Sequence, residues 1–126
     1  MIRGLGIDLV EIDRVQSALD RHGERFALRI LSDSELPDYR RLDRSRQARF
    51  VAKRFAVKEA FSKALGLGIG RGFGFHDVWV EYTDLGQPQI RVNAQVPLLG
   101  TLDVSGIHLS ITDERSSCAA VCVIEG

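Results

Sequence analysis

The sequence predicts an α+β domain: one long helix and shorter helices packed on a mainly antiparallel sheet. Three observations predict it. Apolar residues of the first half recur at helical spacing, most clearly from about Ser45 to Leu65, where Phe50, Val57, Phe61 and Ala64 mark the pattern. Further on the period shortens to two. Between these regimes glycine occupies alternate positions from Gly66 to Gly74, which reads as loop or irregular strand. A helix-rich half followed by hairpins gives the class.

Taken in order, residues 2–10 read as a strand, with Leu5, Ile7 and Leu9 on one face and Gly4, Gly6, Asp8 and Val10 on the other. Asp13 is placed to cap a helix over about 14–22 that ends near Gly23, and a shorter helical piece follows around Phe26–Leu31. Ser32 and Glu35 have capping-box spacing and should open a short helix near Tyr39. The long helix runs free of Gly and Pro until Gly66. Val78–Tyr82 is a strand, 85–88 a turn and Gln89–Asn93 a second strand. Residues 107–112 and 117–124 form another pair across Asp113-Glu114-Arg115.

With 126 residues and neither repeat nor linker, the chain reads as a single domain over 1–126. No apolar run approaches the ~20 residues of a membrane span, and the N-terminus carries acids early, unlike a signal peptide. A cytoplasmic protein with no membrane association is expected. Cys118 and Cys122 share a strand face and read as buried thiols, not a disulfide framework. The formal net charge is zero, yet Arg14 to Arg71 carries +7 and the remainder −7. A basic half on a neutral chain suits an anionic ligand or an acidic partner. RNA-binding signatures are lacking and only 7% of residues are aromatic, so nucleic acid is not the expected partner.

Four residues carry candidate chemistry. Asp8 lies in an apolar run on the glycine-bearing face, so either a cation or a basic side chain must meet it. Glu59 and Lys63 stand four apart on the long helix; alone they read as a surface pair. With Arg54 and Lys58 on the same stretch and glycines following, they offer carboxylates for Mg²⁺ and cations for phosphate oxygens. The glycine run is no P-loop, because it lacks the G-x-x-x-x-G-K-[ST] order and follows a helix. This, with no kinase-type motif, argues against an ATP-dependent phosphotransferase. His108 alternates with Ser110 and Thr112 on a strand face and could complete an acid–base site.

The stretches GIDLVEIDR (residues 6–14), KRFAVKEAFSKALGLGIG (53–70) and HLSITDERSSCAAVCVIE (108–125) together resemble the holo-acyl-carrier-protein synthase family of phosphopantetheinyl transferases. The resemblance implies transfer of 4′-phosphopantetheine from coenzyme A to a serine of apo acyl carrier protein, releasing adenosine 3′,5′-bisphosphate, in support of fatty acid biosynthesis. It implies Asp8 and Glu59 as ligands of Mg²⁺, with Mn²⁺ also suited to such donors. Lys63 would contact the phosphates and protonate the leaving group. Glu59 would also activate the serine, directly or through water, and His108 would position groups or handle a proton. Arg46, Arg54, Gly66, Gly68 and Pro88, with Lys63 and His108, fall where the family grips coenzyme A; a guanidinium suits its 3′-phosphate. Arg14, Arg21, Arg25, Phe26 and Arg29 resemble the surface that docks the acidic carrier, and Arg14, Arg21 and Arg25 form one basic stripe if their helix is continuous. A homotrimer with sites between subunits is implied. Two departures stand out: Leu67 between Gly66 and Gly68 where the family often has threonine, and the acidic turn Asp113-Glu114-Arg115.

Overall fold

A computed structural model of the chain describes residues 1–94, 96 and 104–126. The order is β1 (Ile2–Glu11), α1 (Ile12–His22), α2 (Glu24–Ile30), α3 (Leu36–Arg41), α4 (Arg44–Ala64), a single 3₁₀ turn (Phe75–Asp77), β2 (Val78–Tyr82), β3 (Pro88–Val92), β4 (Gly106–Asp113) and β5 (Ser117–Glu125). Strands β1, β5 and β4 form one antiparallel sheet in that order, and β2 and β3 form a separate hairpin. The expected α+β class holds.

Helix α4 is the axis of the molecule. Ala48, Val51, Ala52, Ala56, Val57, Ala60, Phe61 and Ala64 are all buried, so it is covered on more than one side, while Arg44, Arg46 and Lys63 stay exposed. The sheet covers one side, α1 and α2 another. Its start is fixed by Asp43, whose Oδ1 accepts from the Arg46 amide at 3.2 Å. Its end is a Schellman closure: the Gly66 and Leu67 amides donate to the Lys63 and Ser62 carbonyls, with Gly66 at φ +79°.

The sheet lies against α4 because β1 has no side chains at the contact. A Cβ on Gly6 would lie 1.9 Å from the Ala60 carbonyl oxygen, and one on Gly4 equally close to that of Ala64. The register continues this inner face across the sheet through Cys122 and Leu109, and from Asp8 through Ala120 and Ile111. Cys118 and Cys122 sit there as free, buried thiols. Burial pushes the Cys122 thiol up to about 12. Leu5, Ile7 and Leu9 point to the outer face and are 60–70% exposed.

Two boundaries differ from expectation, the start of α1 and the start of α3, while the break at Gly23 falls where it was expected. Helix α1 starts at Ile12, directly from the strand, so Asp13 lies in its first turn and makes no cap. Gly23, at φ +66° and ψ −155°, breaks the chain between α1 and α2. The basic stripe therefore does not lie on one continuous helix. Ser32 and Glu35 do pair, the Ser32 amide donating to Glu35 Oε1 at 3.0 Å, but helix α3 begins only at Leu36. Glu35 is 3% exposed, drawn into the core by Lys58.

Candidate active site

The close approach of β1 to α4 sets the geometry. Asp8 is the next inward-facing residue after Gly6, so its carboxylate emerges beside the helix. There Lys63, on α4, donates from Nζ to Asp8 Oδ1 at 3.1 Å and to the Ile7 carbonyl at 2.9 Å. Glu59 is one turn before Lys63 and half-buried. Burial raises its carboxyl above the ordinary value and the negative charge of Asp8 raises it further, while Lys63 pulls it back. Two carboxylates sharing one ammonium leave a negative charge unbalanced. Hard oxygen donors in that number suit Mg²⁺ or Mn²⁺ completed by phosphate oxygens and water. Among the described residues no cluster of three or more His, Cys, Asp or Glu could hold a metal alone.

His108 is on the other side of the sheet. It pairs with Val123, which pairs with Leu5, so all three share the outer face. Its Nε2 lies 3.3 Å from Glu125 Oε1, and the side chain is 62% exposed. Within one chain the structure brings Asp8, Glu59 and Lys63 together and leaves His108 apart.

The nucleotide-binding candidates divide likewise. Arg46, Phe50 and Arg54 follow at four-residue spacing along α4 and so share a face. Tyr82 comes across from β2, its hydroxyl 3.4 Å from Arg54 Nη1, and Tyr82 pairs in register with Pro88. Arg46, Arg54 and Pro88 thus belong to one region. Gly66 and Gly68 lie beyond the far end of α4, about 15 Å along the axis from Arg54. Both glycines are exposed with open space around them.

On the docking face, Arg14 and Arg21 flank a shallow cleft on α1, and Arg25, Phe26 and Arg29 line the next one on α2. His22 borders both, so the basic surface is continuous although the helix is not. Every one of these arginines is exposed, and Phe26 is partly covered.

Lys58 is a correction. Read with its basic neighbours as a cation for phosphate, it is fully buried instead. Its Nζ donates to Glu35 Oε1 at 2.7 Å and to the Ile30 carbonyl at 2.6 Å. Burial lowers its pKa, partly countered by Glu35. Sequence reasoning also missed Glu35 as anything beyond a helix start. The available signal was position: Lys58 follows Ala56 and Val57 and stands three before Phe61, on the apolar side of the helix.

The sequence profile described as the 4′-phosphopantetheinyl transferase superfamily matches residues 4–122. The chain is similar to the holo-[acyl-carrier-protein] synthase of Vibrio cholerae serotype O1, 49% identical over 126 residues, covering 99% of this chain and 98% of that protein. A crystal structure of holo-[acyl-carrier-protein] synthase from Neisseria meningitidis superposes with a TM-score of 0.92 at 33% identity, covering 100% of both chains. Another from Bacillus anthracis, in complex with CoA (3′,5′-ADP), gives 0.84 at 37% identity, covering 98% of this chain and 96% of that one.

Proposed function

The chain belongs to the 4′-phosphopantetheinyl transferase superfamily, and from that premise we propose how its own side chains perform the family's reaction. It transfers 4′-phosphopantetheine from coenzyme A to a serine of apo acyl carrier protein and releases adenosine 3′,5′-bisphosphate. The whole chain, residues 1–126, serves as the one transferase domain, and fatty acid biosynthesis is the pathway that needs the product. The observation that carries the site assignment is the meeting of Asp8, Glu59 and Lys63 across the glycine contact between β1 and α4.

Asp8 and Glu59 would hold a Mg²⁺ ion, which would supply charge neutralisation for the pyrophosphate. The chain's residues supply the rest. Glu59, half-buried on α4 beside Asp8 and Lys63, takes the serine proton, directly or through a water. The serine oxygen bonds to the phosphorus that bears pantetheine, and that phosphorus releases the bridging oxygen to the nucleotide side. Lys63, within reach of Asp8, contacts the phosphates and returns a proton to the leaving oxygen. Arg46, Arg54 and Pro88 grip the nucleotide end, and Gly66 and Gly68 let backbone pass close to it.

The assembly is a homotrimer with sites shared between subunits. Two observations support this. Leu5, Ile7 and Leu9 make an exposed apolar stripe on the outer sheet face. His108 lies on that same face, where it can serve a neighbour's Asp8 and not its own; its role there is positioning or proton handling. The Gly66–Gly68 loop beyond the end of α4 and the Arg54 region at its middle would likewise meet across subunits. Arg14, Arg21, Arg25, Phe26 and Arg29 receive the acidic carrier, where opposite charge speeds encounter. Two unpaired cysteines agree with a cytoplasmic setting, and no helix among the described residues is long and apolar enough to cross a membrane.

Intact-protein mass spectrometry of apo acyl carrier protein tests the reading. With this protein, coenzyme A and Mg²⁺, the carrier gains one phosphopantetheine; with EDTA it gains nothing. A folded sample that binds coenzyme A yet modifies no apo carrier would refute it.

A further inference from the structure

Arg54 is buried, 5% exposed, yet incompletely satisfied. Its planar group lies over the Phe50 ring at 4.3 Å and near the Tyr82 ring at 5.4 Å. Such cation–π contacts occupy its faces and leave its hydrogen-bonding edges to find partners. Nη1 reaches the Tyr82 hydroxyl at 3.4 Å. Nε is 3.4 Å from Glu35 Oε2 but lacks a hydrogen bond, and it is the one buried side-chain nitrogen or oxygen among the described residues without one.

Glu35 explains that position. Oε1 accepts from Lys58 Nζ, the Ser32 amide and the Ser32 hydroxyl, at 2.7, 3.0 and 3.2 Å. Oε2 accepts from the Val80 amide at 3.1 Å. A carboxylate tied at so many points has a fixed place. Among the described residues it is the one acid paired with Arg54 and Lys58, so here two cations meet one anion. The excess positive charge calls for a further anion at the guanidinium.

We propose that Glu35 and Tyr82 are positioning residues for Arg54: they aim its guanidinium so that the 3′-phosphate of coenzyme A completes an otherwise uncompensated buried cation. The proposal rests on the reading of Arg54 as a nucleotide contact. It adds two residues, from the α2–α3 connection and the end of β2, that act through Arg54. Glu35 sets the Nε edge, and Tyr82 sets both a face and the Nη1 edge.

The test compares coenzyme A with 3′-dephospho-coenzyme A as substrates of the complete, metal-loaded enzyme. Arg54→Ala checks the underlying reading: it should abolish the wild-type preference for coenzyme A. Glu35→Gln should reduce that preference about tenfold through KM for coenzyme A, because it removes the buried ion pair that fixes the Nε edge. The KM for the dephospho substrate should stay near wild type. A purely structural role would lower melting temperature and affect both substrates alike. Should Glu35→Gln not fold, Tyr82→Leu carries the test, because Tyr82 is half-exposed and its loss leaves the core intact. Preference retained in Glu35→Gln or Tyr82→Leu, but lost in Arg54→Ala, overturns the positioning role. Preference retained in Arg54→Ala overturns the nucleotide reading, and the positioning role with it.

Discussion

Gly6 of β1 and Ala60 of α4 touch backbone to backbone, so closely that the smallest side chain at Gly6 would lie 1.9 Å from the Ala60 carbonyl oxygen. Asp8 stands two residues on along the same strand face, so this contact sets its distance from Glu59. Gly6→Ala must push strand from helix and should cost about 3 kcal/mol, as overpacking does. Thermal unfolding should record that loss. Mg²⁺-dependent turnover should fall further than stability accounts for, because the two carboxylates no longer face each other.

Glu59→Gln keeps the fold and lowers transfer at least about a hundredfold, the usual worth of a positioned acid or base; Asp8→Ala does the same. Wild-type turnover in either variant would refute the metal site.

The raised Glu59 carboxyl gives a pH signature. A carboxyl that holds its proton more tightly when folded makes the native state bind more protons than the unfolded chain. Metal-free stability therefore falls as pH rises from the ordinary value of 4.5 through the raised one. Glu59→Gln removes this penalty, so without metal it should melt higher than wild type at neutral pH, with the gap closing near pH 4. Mg²⁺ should raise the wild-type melting temperature and leave that of the variant unchanged. A gap independent of pH would refute the assignment.

Reversing charge at Arg14 and Arg21 should weaken carrier binding about tenfold or more at low salt while leaving KM for coenzyme A near wild type. Both side chains are exposed on α1, away from the β1–α4 contact. Steady-state kinetics with each substrate varied in turn separates the effects, and equal loss of both would refute the division of labour. Added salt should lower the wild-type rate and shrink the difference.

Ile7→Asp puts a charge in the middle of the outer apolar stripe. Light scattering should then report single chains where the wild type reports three, with turnover lost although Asp8, Glu59 and Lys63 are untouched. An active monomer would refute the shared site.

Much of this was legible in the chain. The change of period separated helices from strands, and the alternation in β1 gave the right inner and outer faces because one face is pressed on α4 and the other is open. The stop at Gly66 was legible because a residue at positive φ favours glycine. Less legible was anything decided by packing between distant segments. Asp13 looked like a cap, but helix α1 follows β1 without a loop, and no capping residue is used. Lys58 resembled the exposed Lys63 because a helix sequence does not say which of its sides will be covered. Glu35 is fixed by Lys58 and Val80, 23 and 45 residues away. His108 looked like a companion of Asp8 because both are polar strand residues; the register sets them on opposite faces.

That register turns loss of function into something two broken proteins can repair for each other. If a site takes Asp8 from one chain and His108 from the next, mixing an Asp8→Ala protein with a His108→Ala protein rebuilds intact sites. With random assortment, roughly a quarter of the interfaces recover both residues. Each parent alone would be inactive or impaired. Activity that appears only after the chains are dissociated and reassembled together would make catalysis a property of the seam between neighbours, inherited by neither fold alone.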